Sequence, residues 1–272
     1  MPTKVTTTTS PGALLLHSLA GLTRAQRASF YNLSYVNLPD LAPDSPQYND
    51  ELALAIFQTN AVAAGDGVGI FPRMARLNHG CSSAFNSVYT WRQQEGVIAV
   101  YALKGVRAGE ELLTTYIDTK RPRHERRAAL SSHYGFECDC SVCSLPDEAS
   151  KASDRRLSIM AELYGRLATW QNEKISGTEA IKVAKEIWII GGEEGYWSER
   201  GRLAADAAWV AAAHSDKVAT KGWAELAKKW YTYELGPDSE QTGEMEDVIA
   251  HPERHRVWRM RDHEIVGLPD FT

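Results

Sequence analysis

Scarce cysteine, the lack of any long apolar run and the lack of surplus basic charge limit what this 272-residue chain can be. Four cysteines are too few to staple a chain of this length as a disulfide scaffold. No apolar stretch approaches the ~18 residues of a membrane-spanning helix. A formal net charge of −5 argues against wholesale wrapping of nucleic acid, while leaving room for a local basic patch. The glycine-rich segment Gly65-Asp-Gly-Val-Gly69 lacks the Lys-Ser/Thr of a phosphate loop and the dinucleotide spacing. It reads as a turn into a strand at 69–72. The apolar run at 13–16 is short for a signal peptide and no small-residue cleavage site follows cleanly, so it reads as the start of an amphipathic helix.

What is present is an ordinary globular composition, 43% apolar and 24% charged, so a sizeable core can form without metal supplying all the stability. Residues 1–17, Thr-rich and then Ser-Pro-Gly, read as a disordered lead-in. Thr23 can cap a helix over 24–33, and 48–64 reads as a second, burying Leu52, Leu54, Ile56 and Phe57. A proline-rich connection at 39–46 separates them. Alternation over 85–92 and 97–103 around Gln93-Gln-Glu-Gly96 predicts a β-hairpin, and 111–117 a further strand. Arg121, Arg123, Arg126 and Arg127 mark the helix at 121–133; they read as a solvated face, with docking of an acidic partner as the sharper alternative. Residues 145–153 read as a linker. From 154 the apolar spacing is helical, through Leu157, Met160, Leu163, Tyr164, Leu167 and Trp170, then Ile181, Ala184, Ile187 and Trp188. An Ala-rich segment at 203–214 and a face of Val218, Trp223, Leu226, Trp230 and Tyr233 follow. The charged tail at 236–272 reads as loosely held.

Three of the four cysteines crowd into Cys138-x-Cys140-x2-Cys143, and the fourth, Cys81, lies far upstream. Structural zinc takes four tetrahedral N/S ligands, so a remote Cys81 would complete the set and pin two distant segments together. Close thiols of this kind favour metal over disulfides, and so a reducing compartment. An all-thiolate site leaves no open position for a catalytic water, which makes the metal structural. The bland alternative is that Cys81 is simply a small buried residue.

Asn78-His79-Gly80-Cys81, then Gly109-Glu110-Glu111-Leu112 leading to Thr115-Tyr116, then Tyr134-x-Phe136-x-Cys138-x-Cys140-x2-Cys143, resemble the SET-domain protein-lysine methyltransferases. The sub-type is the SMYD-like group with its fungal SET5-like relatives. The resemblance covers 18–145 well and 150–235 loosely. It implies an α+β fold: a β-rich SET-like core with a zinc-bound, cysteine-rich post-SET tail over 18–145, then an α-helical, tetratricopeptide-like domain over 154–235. It also implies transfer of a methyl group from S-adenosylmethionine to a lysine side chain. By resemblance Asn78 and His79 hold the cofactor, Phe136 packs on its adenine, and Tyr116 and Tyr134 line the lysine channel. Cys81, Cys138, Cys140 and Cys143 bind zinc.

The resemblance also sets contrasts. The family's Gly-x-Gly segment, which contacts the methionine part of the cofactor, belongs upstream of the matched helices. The 65–69 turn lies downstream of them, so the expectation is an N-terminally incomplete SET core whose cofactor pocket is short of one wall. Relatives often read Asn-His-Ser-Cys-x-Pro-Asn; here Gly80 replaces Ser, the proline is absent, and Asn86 comes two residues late. The alternative function is a non-catalytic, zinc-stabilised interaction module. A nucleic-acid role for the basic helix is disfavoured by net acidity and by the lack of interleaved aromatics. The implied partner is a lysine-bearing protein, a histone tail being a family substrate, with a monomeric chain acting in nucleus or cytoplasm.

The residue types suit that chemistry. In-line displacement on a sulfonium needs positioning and desolvation more than acid–base catalysis. The attacking lysine must lose a proton held with a pKa of ~10.4, and an aromatic, low-dielectric channel beside a sulfonium lowers it. A tyrosine hydroxyl can align the amine, and oxygen acceptors can hold the polarised methyl.

Overall fold

The computed structural model describes residues 11–271. Residues 1–10 of the expected lead-in lie outside the described residues. From 11 to 17 the chain is helical rather than disordered, as part of α1 (Pro11–Ala20). Two units can be distinguished. One ends at Leu77 and takes in Arg127–Cys138; the other comprises Asn78–Arg126 and continues from Asp139.

In the first unit, α2 (Arg24–Tyr31) starts at Thr23, whose hydroxyl accepts the Gln26 N–H while the Gln26 side chain accepts the Thr23 N–H. This reciprocal pair satisfies two of the orphan donors of a helix start. α3 (Tyr48–Asn60) is shorter than the apolar spacing suggests. Asn60 ends it, donating to the Ser34 and Ile56 carbonyls at 2.7 and 2.8 Å. The residues that follow form an antiparallel hairpin instead, β1 (Val62–Ala64) with β2 (Gly67–Gly69), around Gly65 at φ +62°. The expected strand at 69–72 is therefore displaced upstream. Leu19, Phe30, Leu33, Ala53 and Ile56 form the core of this unit, with Leu15, Leu16 and Leu52 packed on it. On α3 the fully buried positions are Ala53, Ala55 and Ile56, whereas Leu54 and Phe57 are half-buried. Small side chains let this helix approach its neighbours closely.

The second unit holds the remaining strands. β4 (Ser87–Arg92) and β5 (Val97–Ala102) pair antiparallel from Ser87↔Ala102 to Arg92↔Val97, turning at Gly96 with φ +64°, as the alternation predicts. β3 (Asn78–His79) and β6 (Leu113–Thr114) pair in parallel. β6 is only two residues of the expected 111–117 strand. α4 (Arg123–Tyr134) carries the chain from this unit into the first.

The expected linker at 145–153 is mostly helix. α5 (Asp147–Ala168) begins directly after Pro146, with Asp147 and Glu148 in its first turn, where carboxylates favour the helix dipole. Ser150 and Ser153 are buried. α6 (Gly177–Glu194), α7 (Arg200–Ala213), α8 (Lys217–Leu235) and α9 (Glu240–Ala250) follow, each packed on the helix before it. α7 is buried nearly all round because Ala204, Ala207, Ala208, Ala211, Ala212 and Ala213 let its neighbours close in. Trp223 of α8 is fully buried, whereas Val218 and Tyr233 of the expected face are exposed. Among the described residues no helix is long and apolar enough to cross a membrane.

The tail is not loose. Met245, Val248, Val257 and Val266 join the helical core. Asp216 caps α8 by accepting the Ala219 N–H at 3.0 Å, and its second oxygen accepts the Val266 and Gly267 N–H groups at 2.9 and 3.5 Å. The Trp223 indole N–H donates to the Gly267 carbonyl at 3.0 Å. One buried carboxylate thus starts a helix and holds the C-terminal segment. Asp216→Ala removes the cap and both tail acceptors, and is expected to cost about 2–4 kcal/mol. Denaturant unfolding measures this, with limited proteolysis reporting release of residues 264–271; an unchanged midpoint would remove Asp216 from that role.

Candidate metal centre and the adjoining polar site

The site grows from the short parallel pair. β3 against β6 sets Asn78 opposite Leu113 and His79 opposite Thr114, and the Gly80 N–H continues the ladder to the Thr114 carbonyl at 2.8 Å. Two residues are a meagre strand, and a side chain extends the pairing. The buried Asn86 amide donates to the Glu111 carbonyl at 2.8 Å and accepts the Leu113 N–H at 2.9 Å. Its carboxamide acts as one more peptide group alongside β6. Asn86 accordingly holds the second motif in register with the first.

Gly80 has a steric reason. A Cβ there would lie 2.8 Å from the Phe85 nitrogen and 3.0 Å from the Ala84 carbonyl carbon, both backbone. The chain after Cys81 curls back over this position through Ser82, a non-glycine residue at φ +44°. Ser82 is anchored from the helices: its hydroxyl donates to Glu194 of α6 at 2.8 Å. The buried Glu194 carboxylate also accepts Ser153 Oγ at 2.6 Å and Arg156 of α5 at 2.8 Å.

His79 is buried, and its two nitrogens do different work. Nδ1 accepts the Tyr116 N–H at 3.0 Å, so the neutral ring carries its proton on Nε2, which faces Cys81 Sγ at 3.1 Å. Burial holds the His79 pKa down at about 4, with Cys140 pulling it up and Arg126 pushing it lower. The Tyr116 ring lies tilted at 5.4 Å from the imidazole. Asn78 is exposed, and its amide is oriented by a 2.6 Å hydrogen bond to Glu111. Tyr134 ends α4 and Phe136 follows Gly135, at φ +70°, in the first unit. Both are half-buried, and burial raises the Tyr134 pKa.

The sulfur atoms of Cys81, Cys138, Cys140 and Cys143 all lie within 4.8 Å of one another. Cys81 and Cys143 approach to 3.6 Å, and the Cys81 N–H points to Cys140 Sγ at 3.5 Å. The remote thiol thus joins the clustered three, as the spacing predicts. A divalent ion suits the group: four soft donors converge, and N–H groups face the sulfurs as they do in metal thiolate sites. α4 holds the cysteine loop from one side. Arg123 donates to the Leu145 carbonyl at 2.9 Å and pairs with Asp147, while Arg127 donates to the Cys138 carbonyl at 3.1 Å and pairs with Glu137. Arg126, expected on a solvated face, is instead fully buried, with its Nη1 at 3.0 Å from Asp154. Its spacing four residues before the buried Leu130 was the available signal, since such pairs share a helix face.

No protein-family model matches the chain. The histone-lysine N-methyltransferase set5 of Schizosaccharomyces pombe is 28% identical over 243 residues, which is 88% of this chain and 72% of that protein. The histone-lysine N-methyltransferase SMYD3 of Mus musculus is 36% identical over 89 residues, 33% of this chain and 20% of that protein. The human N-lysine methyltransferase SMYD2 is 36% identical over 94 residues, 34% of this chain and 21% of that protein. The chain is thus similar to lysine methyltransferases of the Set5 and SMYD kinds. The match spans only about a fifth of each SMYD protein but most of the Set5 protein.

Glycine stands after Asn-His here, and the Phe85 backbone leaves no room for a side chain at that position. Gly80→Ser is expected to destabilise the protein by about 1–3 kcal/mol through overpacking against main chain. Thermal unfolding checks this; a wild-type transition would show that the 81–85 curl yields freely.

Proposed function

We propose that this chain is a protein-lysine N-methyltransferase that uses S-adenosylmethionine and carries a structural zinc on Cys81, Cys138, Cys140 and Cys143. The observation that carries the reading is the β3–β6 pair, at which His79 bridges the Cys81 thiol at 3.1 Å to the Tyr116 N–H at 3.0 Å while Asn78 lies at the exposed edge. The named activities of the Set5 and SMYD relatives supply the reaction class. S-adenosylmethionine supplies a methyl group on a sulfonium.

The chain's own groups do the rest. Asn78, its amide aimed by Glu111, offers hydrogen-bonding capacity at an exposed edge suited to a polar cofactor. His79 stays neutral and spends both ring nitrogens on structure, tying the Tyr116 backbone to the metal loop. Tyr116 is thereby fixed at its own N–H, and its hydroxyl is assigned to orient the substrate amine. The roles proposed for Tyr134, as a second channel tyrosine, and for Phe136, on the adenine, rest on their spacing to Cys138. The proposed SET-type core spans 18–145, and the successive packing of α5 to α9 supports a tetratricopeptide-like helical region. The substrate is a lysine-bearing protein, a histone tail being the one named for relatives, met in nucleus or cytoplasm.

Metal analysis is expected to give about one zinc per chain. Cys81→Ser should lose most of it together with stability; full retention of zinc would refute the four-cysteine site. Calorimetric titration of the zinc-loaded protein with S-adenosylmethionine tests the enzymatic reading. No heat and no thermal shift would sink it and leave the zinc-closed interaction module. Where transfer is measured, Tyr116→Phe should slow it by about a hundredfold with folding intact, the scale of a lost orienting contact. An unchanged rate would remove Tyr116 from the chemistry.

A further inference from the structure

Arg126 is fully buried, and its hydrogen bonding is unfinished. Nη1 donates to Asp154 and to the Arg121 carbonyl. Nε and Nη2 are buried with no hydrogen-bond acceptor at all. A guanidinium left so is costly unless negative charge comes to it. The Asp154 carboxylate is an incomplete answer, because the same oxygen also accepts the Arg123 N–H at 2.8 Å. Burial on its own would lower the Arg126 pKa. Cys81, Cys143 and Asp154 together more than offset it and hold the pKa above the ordinary value.

Among the described residues, His79, Arg123 and Arg127 also hold the cysteine segments, and each has its charge accounted for. His79 is neutral and gives only a dipole. Arg123 and Arg127 grip carbonyl oxygens and are neutralised by Asp147 and Glu137 near the surface. Four thiolates on a divalent ion leave a net charge of minus two in a buried place, and only Arg126 combines burial, permanent charge and two idle donors.

We propose that Arg126 is the counter-cation of the four-thiol metal centre, a positioning residue whose idle N–H groups offset the excess charge of the thiolates when metal is held. The proposal rests on the zinc reading above. It makes the basic helix α4 part of the metal site, not a docking face. A bland alternative gives Arg126 one task only, anchoring α5 through Asp154.

The test uses the full chain and zinc itself, with affinity read by competition against a chromogenic chelator at one neutral pH. Arg126→Met should weaken zinc binding by about 10–100-fold, the usual loss for an outer partner of a metal ligand. Arg126→Lys, which keeps the charge, should recover most of it. Asp154→Asn should keep near wild-type zinc affinity while lowering stability, since it removes the anchoring charge and leaves the guanidinium in place. Circular dichroism reports folding for each variant, and if Arg126→Met fails to fold, Arg126→Gln, which removes the charge but keeps a polar side chain, takes its place with the same expected loss. The proposal falls if Arg126→Met holds zinc as tightly as wild type, if Arg126→Lys loses affinity as badly as Arg126→Met, or if Asp154→Asn weakens zinc as much as Arg126→Met does. Wild-type protein that binds no zinc removes the metal reading itself, and this proposal with it.

Discussion

Two cysteines 62 residues apart, Cys81 and Cys143, meet at 3.6 Å, and the local order around the site depends on that meeting. Neither short strand beside Cys81 could hold itself. β3 and β6 are two residues each, with few ladder bonds against the entropy of closing the intervening loop. A metal held by all four thiols would supply ~10–16 kcal/mol of apparent binding free energy, enough to fix segments whose own pairing is weak. His79 then passes that fixity on, from the Cys81 sulfur through the imidazole to the Tyr116 backbone.

Around the cluster, buried polar groups do what apolar packing does elsewhere. Asn86 stands in for a strand, Glu194 collects two serines and an arginine, and Asp216 serves a helix start and the chain's far end together. Each is buried and hydrogen-bonded, so each specifies one arrangement: losing a partner leaves a desolvated group with no substitute. Arg126 differs in having idle donors, which is why it points to something the protein holds.

Much of this was legible in the sequence where one local rule dominated. The Thr23 cap, the hairpin at Gln93-Gln-Glu-Gly96 and the faces from Leu157 to Ile187 obey short-range periodicity or turn chemistry. The three crowded cysteines and the lone fourth pointed to a four-sulfur cluster, because a tetrahedral thiol set is geometrically demanding. What failed to show was whatever tertiary context decides. Arg126 sits among other bases, and nothing local tells a buried guanidinium from a solvated one. Composition made 145–153 look like a linker, yet Ser150 and Ser153 are buried there. The tail after 236 looked loose because its anchors are backbone groups read by a carboxylate far upstream. Glu111 and Asn86 were visible as motif neighbours, but their work is to aim Asn78 and to extend β6, which only three dimensions display.

The Ser82–Glu194 hydrogen bond has a bearing on how such a chain can change. The left-handed turn just after Cys81 is held by the last turn of α6, so the shape of that turn is written partly in a helix more than a hundred residues away. Recombination that exchanged the C-terminal helices for another helical array would leave Ser82 without its acceptor. A substitution at this seam therefore has to satisfy the cysteine loop and the helices at once, a demand that is not placed on the outward helix faces.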